Sequence, residues 1–377
     1  METRRPMPPF KVAHAAADDW AHAAKACADA LGDAAKEATL GFVYATDVLA
    51  GDLPSILTYL RQKTGVEHWV GTVAMGICAD ETEYFDRPAV ATMLATLPAD
   101  DFCVFPSLTT GLRQLGDAQR VWIARTSPVL GLVHADPACE DLAGLIGEVA
   151  AASAGFLVGG ITSSRDASHQ VAGRVTGGGV SGVLFAPTVS VVTGLSQGCT
   201  PVGDSHEISD CLDNVLIGLD GLRALDVLKA DIGPDLAADL SKTAGYVHAA
   251  LPIAGSDTGD YLVRNLLGID PARGWLAIGE QVTPGDRVMF VKRDPASAAE
   301  DLRRMLERLK GRLERPPRGG VYISCIARGP DMVGEAGGEA ALIRSVLGDV
   351  PLVGFYANGE ISFNRLYAYT GVLTLFL

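Results

Sequence analysis

The chain has 377 residues, 48% of them hydrophobic and 20% charged, a balance that suits packed cores and excludes a disordered chain. Its formal net charge of −14 provides no general field for holding nucleic acid or an anionic membrane. The length exceeds what one core ordinarily serves, so two domains are expected.

The N-terminal METRRPMPPFKVAHAAADDW is interrupted by Lys11, Asp18 and Asp19 and lacks the apolar run of a signal peptide. Residues 1–37 read as a strand and helix extension, with the alanine-rich 16–31 predicting the helix. LGFVYATD (40–47) is an apolar run of strand length. DLPSILTYLRQKTG then opens on an N-cap aspartate, carries Ile56, Leu57 and Leu60 at helical spacing and stops at Gly65. HWVGTVAMGI, DDFCVFPS, GFLVGGIT, SGVLFAPTVSVVTGL, GWLAIGEQ and RVMFVKRD read as strands. In 298–313 the stripe Leu302, Met305, Leu306, Leu309 and Leu313 predicts a helix, with Arg303, Arg304, Arg308, Lys310 and Arg312 on its solvated face. No stretch reaches the ~18–20 apolar residues needed to span a bilayer.

A domain boundary is read within 215–240, where a helix and a Gly-Pro pair interrupt the strands, giving parts 38–222 and 223–377. The two parts echo each other. LIGEV then FLVGGITSS (145–164) is matched by LIRSV then PLVGFYANGE (342–360), and SGVLFAP (181–187) by TGVLTLF (370–376). The fold class expected is α/β (α+β), two mixed-sheet domains with flanking helices, with an internally duplicated unit suggested and a cleft formed.

Several motifs fit a pattern but not its context. GLSQG (194–198) would make Ser196 a nucleophile, yet no helix follows the strand. GGGVSG (177–182) has dinucleotide spacing but runs into another strand, so a glycine hairpin is expected. The seven cysteines are odd in number with no CxxC pair, and the seven histidines form no HxxxH or HExxH. A reducing, cytoplasmic setting without a metal site follows.

The polar residues worth following lie in GGVYISCIARG (319–329), GEAGGEAALIRSV (334–346) and GFYANGEI (354–361). Cys325, Arg328, Glu339, Asn358, Gly359 and Glu360 stand at two strand exits and a helix start, where small-molecule pockets are commonly built. Arg328 can grip a carboxylate, Asn358 can donate and accept, and Glu360 can take a ligand ammonium or neutralise Arg328. Other readings stay open: Asn358-Gly359 is itself a hairpin signal, Glu360 could be solvated, Glu339 could serve the helix dipole, and Cys325 could be inert core.

ISCIARG, the downstream Glu339, GFYANGEI and YTGVLTLF resemble the C-terminal half of the FIST family of intracellular signal-transduction domains. GFLVGGITSS, SGVLF and GCTPVGD resemble its N-terminal half and LDGLRALDVL the joining segment, so the likeness covers roughly residues 38–377. The resemblance implies a small-ligand sensory module without catalytic residues, with an amino acid or similar metabolite as ligand and the six residues above as its binding set. No kinase, methyl-acceptor, cyclase or F-box region is seen, so output is expected through a separate signalling protein, with a homodimer reasonable. No cofactor is expected. The alternatives are a haem-binding gas sensor, a cysteine-dependent enzyme using Cys325 or Ser196, and a pure interaction scaffold.

Overall fold

The computed structural model describes residues 10–152, 156–253, 260–330, 332 and 338–377. They gather in two compact units. The first runs to Ser196 and takes in Ala299–Leu366 and Thr370–Leu377; the second holds Gln197–Ala298 with Tyr367–Tyr369. The division read at 222/223 falls inside the second unit. Mixed α and β elements in several sheets confirm the expected fold class.

The chain begins with β1 (Lys11–Ala16), α1 (Trp20–Leu31), β2 (Leu40–Thr46), α2 (Leu53–Thr64) and β3 (His68–Ala74). The predicted 16–31 helix starts later, at Trp20, where the Asp19 side chain accepts from the His22 N–H, and residues before it pair as a strand. Gly65 closes α2 with φ 70°, as its position predicts. There follow β4 (Gly76–Ala79), β5 (Thr82–Phe85), β6 (Ala89–Ala95), β7 (Phe102–Leu108), α3 (Asp117–Thr126), β8 (Leu130–Ala135), α4 (Leu142–Ala152) and β9 (Phe156–Ile161). Next are β10 (Gln170–Ala172), β11 (Val175–Thr176), β12 (Val180–Phe185) and β13 (Val191–Gln197).

The second unit contributes β14 (Cys199–Pro201), β15 (His206–Leu212), β16 (Val215–Leu219), β17 (Leu222–Arg223), α5 (Ala224–Ala237), β18 (Val247–Pro252), β19 (Tyr261–Asp270), β20 (Trp275–Ile278) and β21 (Arg287–Arg293). Strands β21, β15, β16, β20, β19 and β18 pair antiparallel in that order, and β18 returns to β21, closing a ring. Its interior packs Ile208, Leu216, Leu276, Val288 and Phe290 against Leu225 and Leu228 of α5. The Gly-Pro pair kinks α5 at Gly233, φ 79°.

The chain ends with α6 (Pro295–Gly311), β22 (Gly319–Cys325), α7 (Gly338–Leu347), β23 (Leu352–Ala357), β24 (Glu360–Phe363), β25 (Arg365–Tyr367) and β26 (Thr370–Phe376). The α6 stripe Leu302, Met305, Leu306 and Leu309 is fully buried, each side chain contributing about 1.5–3 kcal/mol, while its arginines face water.

Three sheets form the first unit: β1-β6-β2-β3-β10-β11, β25-β24-β9-β8-β12-β7 and β13-β26-β22-β23-β4-β5. Each is centred on the same module. A strand, a helix and a parallel second strand are followed by a strand antiparallel to the first: β2, β3, β6; β8, β9, β12; β22, β23, β26. These central strands are buried throughout or nearly so, which is why they read as continuous apolar runs rather than alternation. A glycine sits at the same place in each second strand. A Cβ on Gly71, Gly159 or Gly354 would lie 1.7, 2.0 or 1.7 Å from the carbonyl oxygen of Val43, Val133 or Tyr322. The sequence echo therefore corresponds to the second and third modules; a first copy, around β2 and β3, was not legible in it.

After each second strand the chain leaves its sheet and adds a short antiparallel strand to another: β4 to β23, β10 to β3, β24 to β9. The modules thus exchange strands in a cycle. This overturns two turn expectations. Asn358-Gly359 carries the chain between sheets and is not a hairpin, and the Gly177–Gly179 stretch joins β11 to β12 in different sheets. One aromatic from each module meets at the centre: Tyr44, His134 and Phe355, with ring centroids 5.3–5.7 Å apart.

Candidate functional site

Strand β22 is covered on both faces, and Cys325 ends it in an extended conformation before a single 3-10 turn, Ile326–Arg328. That turn folds the guanidinium inward: Arg328 is 1% exposed. Glu339 lies in the first turn of α7. Its Oε1 accepts from Arg328 Nε at 2.8 Å and Nη2 at 2.5 Å, and its Oε2 from Ser324 Oγ at 2.5 Å. Arg328 also donates to Ser196 at the end of β13, through Nη2 to Oγ at 3.0 Å and Nη1 to the carbonyl at 3.4 Å. Burial opposes the arginine's charge, but the Glu339 carboxylate outweighs it and raises the guanidinium pKa.

Glu360 opens β24 opposite Gly160 and is 0% exposed. Its Oε2 accepts from the Thr370 N–H at 3.1 Å and Oγ1 at 2.8 Å. Its Oε1 is buried without a hydrogen-bond partner among the described residues. Burial pushes this carboxyl up to about 8, against the opposing pull of the Thr370 bonds, the Arg328 charge and the Cys325 thiol. Tyr322 and Tyr356 hydroxyls are likewise buried without partners.

The structure therefore brings Cys325, Arg328, Glu339 and Glu360 into one buried polar cluster and leaves Asn358 out. Asn358 is exposed; its N–H donates to the Ile161 carbonyl at 2.9 Å. Gly359 serves the backbone: its φ of 137° disfavours any L side chain, and its carbonyl accepts from the Ile161 N–H at 2.8 Å. Two assigned roles change. Arg328 is neutralised by Glu339, not Glu360, and its donors are committed within the protein instead of reaching for a ligand carboxylate. Glu339 acts as the arginine's partner rather than only as a first-turn acid. Ser196, noticed in the sequence as a G-x-S-x-G serine without its helix, is fully buried near the end of β13 and accepts from Arg328. Nothing marked Ser324 or Thr370 beforehand, since single hydroxyls in apolar strands are commonplace.

Other places offer less. A small apolar hollow lined by Phe105, Leu108, Leu112, Leu115, Ile123, Val149 and Leu184 has no polar group to orient a small molecule. Among the described residues no group of three or more His, Cys, Asp or Glu gathers as a metal site, and no helix is long and apolar enough to cross a membrane. None of the seven cysteines is in a disulfide.

Two family profiles match the chain, the FIST N domain over residues 39–222 and the FIST C domain over 224–362. The chain belongs to the FIST family, whose domains are sensory signal-transduction modules. An uncharacterised protein of Mycobacterium tuberculosis is 33% identical over 380 residues, 92% of this chain and 97% of that protein. An uncharacterised protein of Mycobacterium bovis is 31% identical over 385 residues, covering 92% of this chain and 96% of its own length.

Proposed function

We propose that this chain is a cytoplasmic small-ligand sensory module, not an enzyme, and that the cluster around Arg328 and Glu360 is where it reads a small metabolite. Amino acids are the first class to test. The observation that carries the reading is the Glu360 Oε1, a buried carboxylate oxygen with no hydrogen-bond partner among the described residues, beside the Arg328–Glu339 ion pair. Buried acceptors are ordinarily paired, so an orphan beside a fixed ion pair marks a place prepared for a donor. The Arg328–Glu339 pair then acts as the positioning framework. No cofactor is required. Output passes to a separate signalling protein, and the chain works as a homodimer.

The reading predicts a population shift, in which ligand favours the state it binds better. Native mass spectrometry of freshly purified protein should find a retained small molecule, and a metabolite panel should raise the melting temperature. A protein that retains nothing and responds to no amino acid, amine or carboxylate refutes the reading. A Soret band in the same preparation would favour a haem protein instead.

A further inference from the structure

The strand exchange in the first unit makes three positions equivalent by register. Opposite the residue that follows each module glycine stand Gln170, facing Thr72; Glu360, facing Gly160; and Ile77, facing Phe355. All three are 0% exposed. The architecture thus accepts a hydrocarbon, a neutral amide or a carboxylate at one and the same place.

Their satisfaction differs. Gln170 uses both ends of its amide, Nε2 donating to the Gly179 carbonyl at 3.0 Å and Oε1 accepting from Ser181 Oγ at 2.5 Å. Glu360 uses one oxygen, on Thr370, which holds the place of Gly179 just before the strand residue paired with Ser324 or Ala135. A carboxylate is the most costly of the three groups to bury, and it is the one left incomplete. The fold does not require it, because its counterparts do without.

The neighbouring charges limit what can complete it. Arg328 and Glu339 cancel each other, so ionised Glu360 leaves the cluster one negative charge in excess. Facing Glu360 are Arg328, Thr370 and the Cys325 thiol, a weak donor that helps hold the charged carboxyl; no N–H or O–H donor among the described residues reaches Oε1. A ligand carboxylate would meet two acids with the arginine already engaged.

We infer that Glu360 is the specificity-determining residue of this cluster and that the ligand is an organic cation, a small primary or secondary amine whose N–H donates to Oε1. The inference rests on the reading of the cluster as a ligand site. The carboxylate of an amino acid adds nothing there, so amine and amino acid are bound alike. Because every member is buried, binding follows a local opening and is slower than the ~10⁵–10⁷ M⁻¹s⁻¹ of open docking. Because the Glu360 carboxyl titrates near 8, it holds its proton at pH 7 and surrenders it to solvent when the ammonium arrives.

Isothermal titration calorimetry of the full chain at pH 7, in two buffers of different ionisation enthalpy, tests this with ethylamine, glycine and propionate. Ethylamine and glycine should bind with release of close to one proton, and propionate should not bind. Glu360→Gln and Glu360→Ile copy the residues of the two equivalent positions, so both should fold, and both should weaken ethylamine binding at least ~10-fold. Glycine or propionate binding while ethylamine is silent, or unchanged amine affinity in both variants, overturns the inference and leaves the sensory reading standing. If none of the three compounds binds, the inference falls, and the metabolite panel with native mass spectrometry decides the sensory reading.

Discussion

Replacing Glu360 by glutamine should reverse its effect on stability with pH. The folded carboxyl titrates near 8 against an ordinary 4.5. A carboxyl whose folded pKa is raised favours the neutral form, so the native state loses stability as pH climbs from 4.5 to 8. The gap corresponds to about 5 kcal/mol once Glu360 is fully ionised. The amide removes that load but leaves its NH₂ where Oε1 had no partner, at a cost of about 1–3 kcal/mol. Glu360→Gln should therefore be more stable than the native chain by about 1–3 kcal/mol at pH 8, where the native carboxyl is half ionised, and slightly less stable at pH 5.

Two buried histidines act in the opposite direction. Burial lowers His134 to about 3 and His248 to about 4, so each destabilises the fold as pH falls below 6.5. The variant-minus-native difference cancels both. Hydrogen exchange of the β22–β24 amides, followed from pH 5 to 9, reports on the first unit alone. A difference that does not change sign with pH would refute the argument that Glu360 is buried as an uncompensated acid.

Arg328→Met strands the Glu339 carboxylate and should cost about 3–5 kcal/mol by urea unfolding, whereas adding Glu339→Leu to it should recover most of the loss. Recovery absent from the double variant would mean the pair does more than neutralise itself. Gly354→Ala puts a methyl 1.7 Å from the Tyr322 carbonyl oxygen and 3.0 Å from Cys78 Sγ and should cost more than ~3 kcal/mol; full soluble expression with native circular dichroism would contradict the close approach. In the second unit, burial would depress His206, but hydrogen bonds from its ring nitrogens to the Asp220 carboxylate at 2.6 Å and the Asp231 carboxylate at 3.0 Å raise its pKa. Stability from that clamp is present below the histidine's ordinary pKa and is lost as pH rises through the folded value. Asp231→Asn should lower the His206 titration midpoint by NMR, and an unmoved midpoint would disprove the clamp.

Local chemistry made much of the chain readable. The β2 run, the α2 helix with its Gly65 stop and the α6 stripe each carry their own periodicity or cap, and the structure follows them. The polar residues at the exit of β22 and the start of α7 stood out against apolar flanks, and they meet. What failed was whatever depends on distant pairing. HWVGTVAMGI shows no break, yet Met75 separates a strand paired with β2 from one paired with β23, about 280 residues away in the chain. Asn358-Gly359 has turn chemistry, but turn chemistry fixes only local backbone angles and cannot say which sheet receives the next strand. The second unit was hidden for a similar reason: strand β13 runs on to Gln197 with no composition shift to announce a change of core.

The cyclic exchange of strands also bears on how this chain can be divided. Separating it between residues 222 and 224, where the two family profiles adjoin, would deprive β9 of β24 and β23 of β4, exposing unpaired sheet edges on both fragments. Neither fragment would then be a working half. The two pieces should aggregate when made singly and regain solubility when made together, because each holds a strand the other is missing.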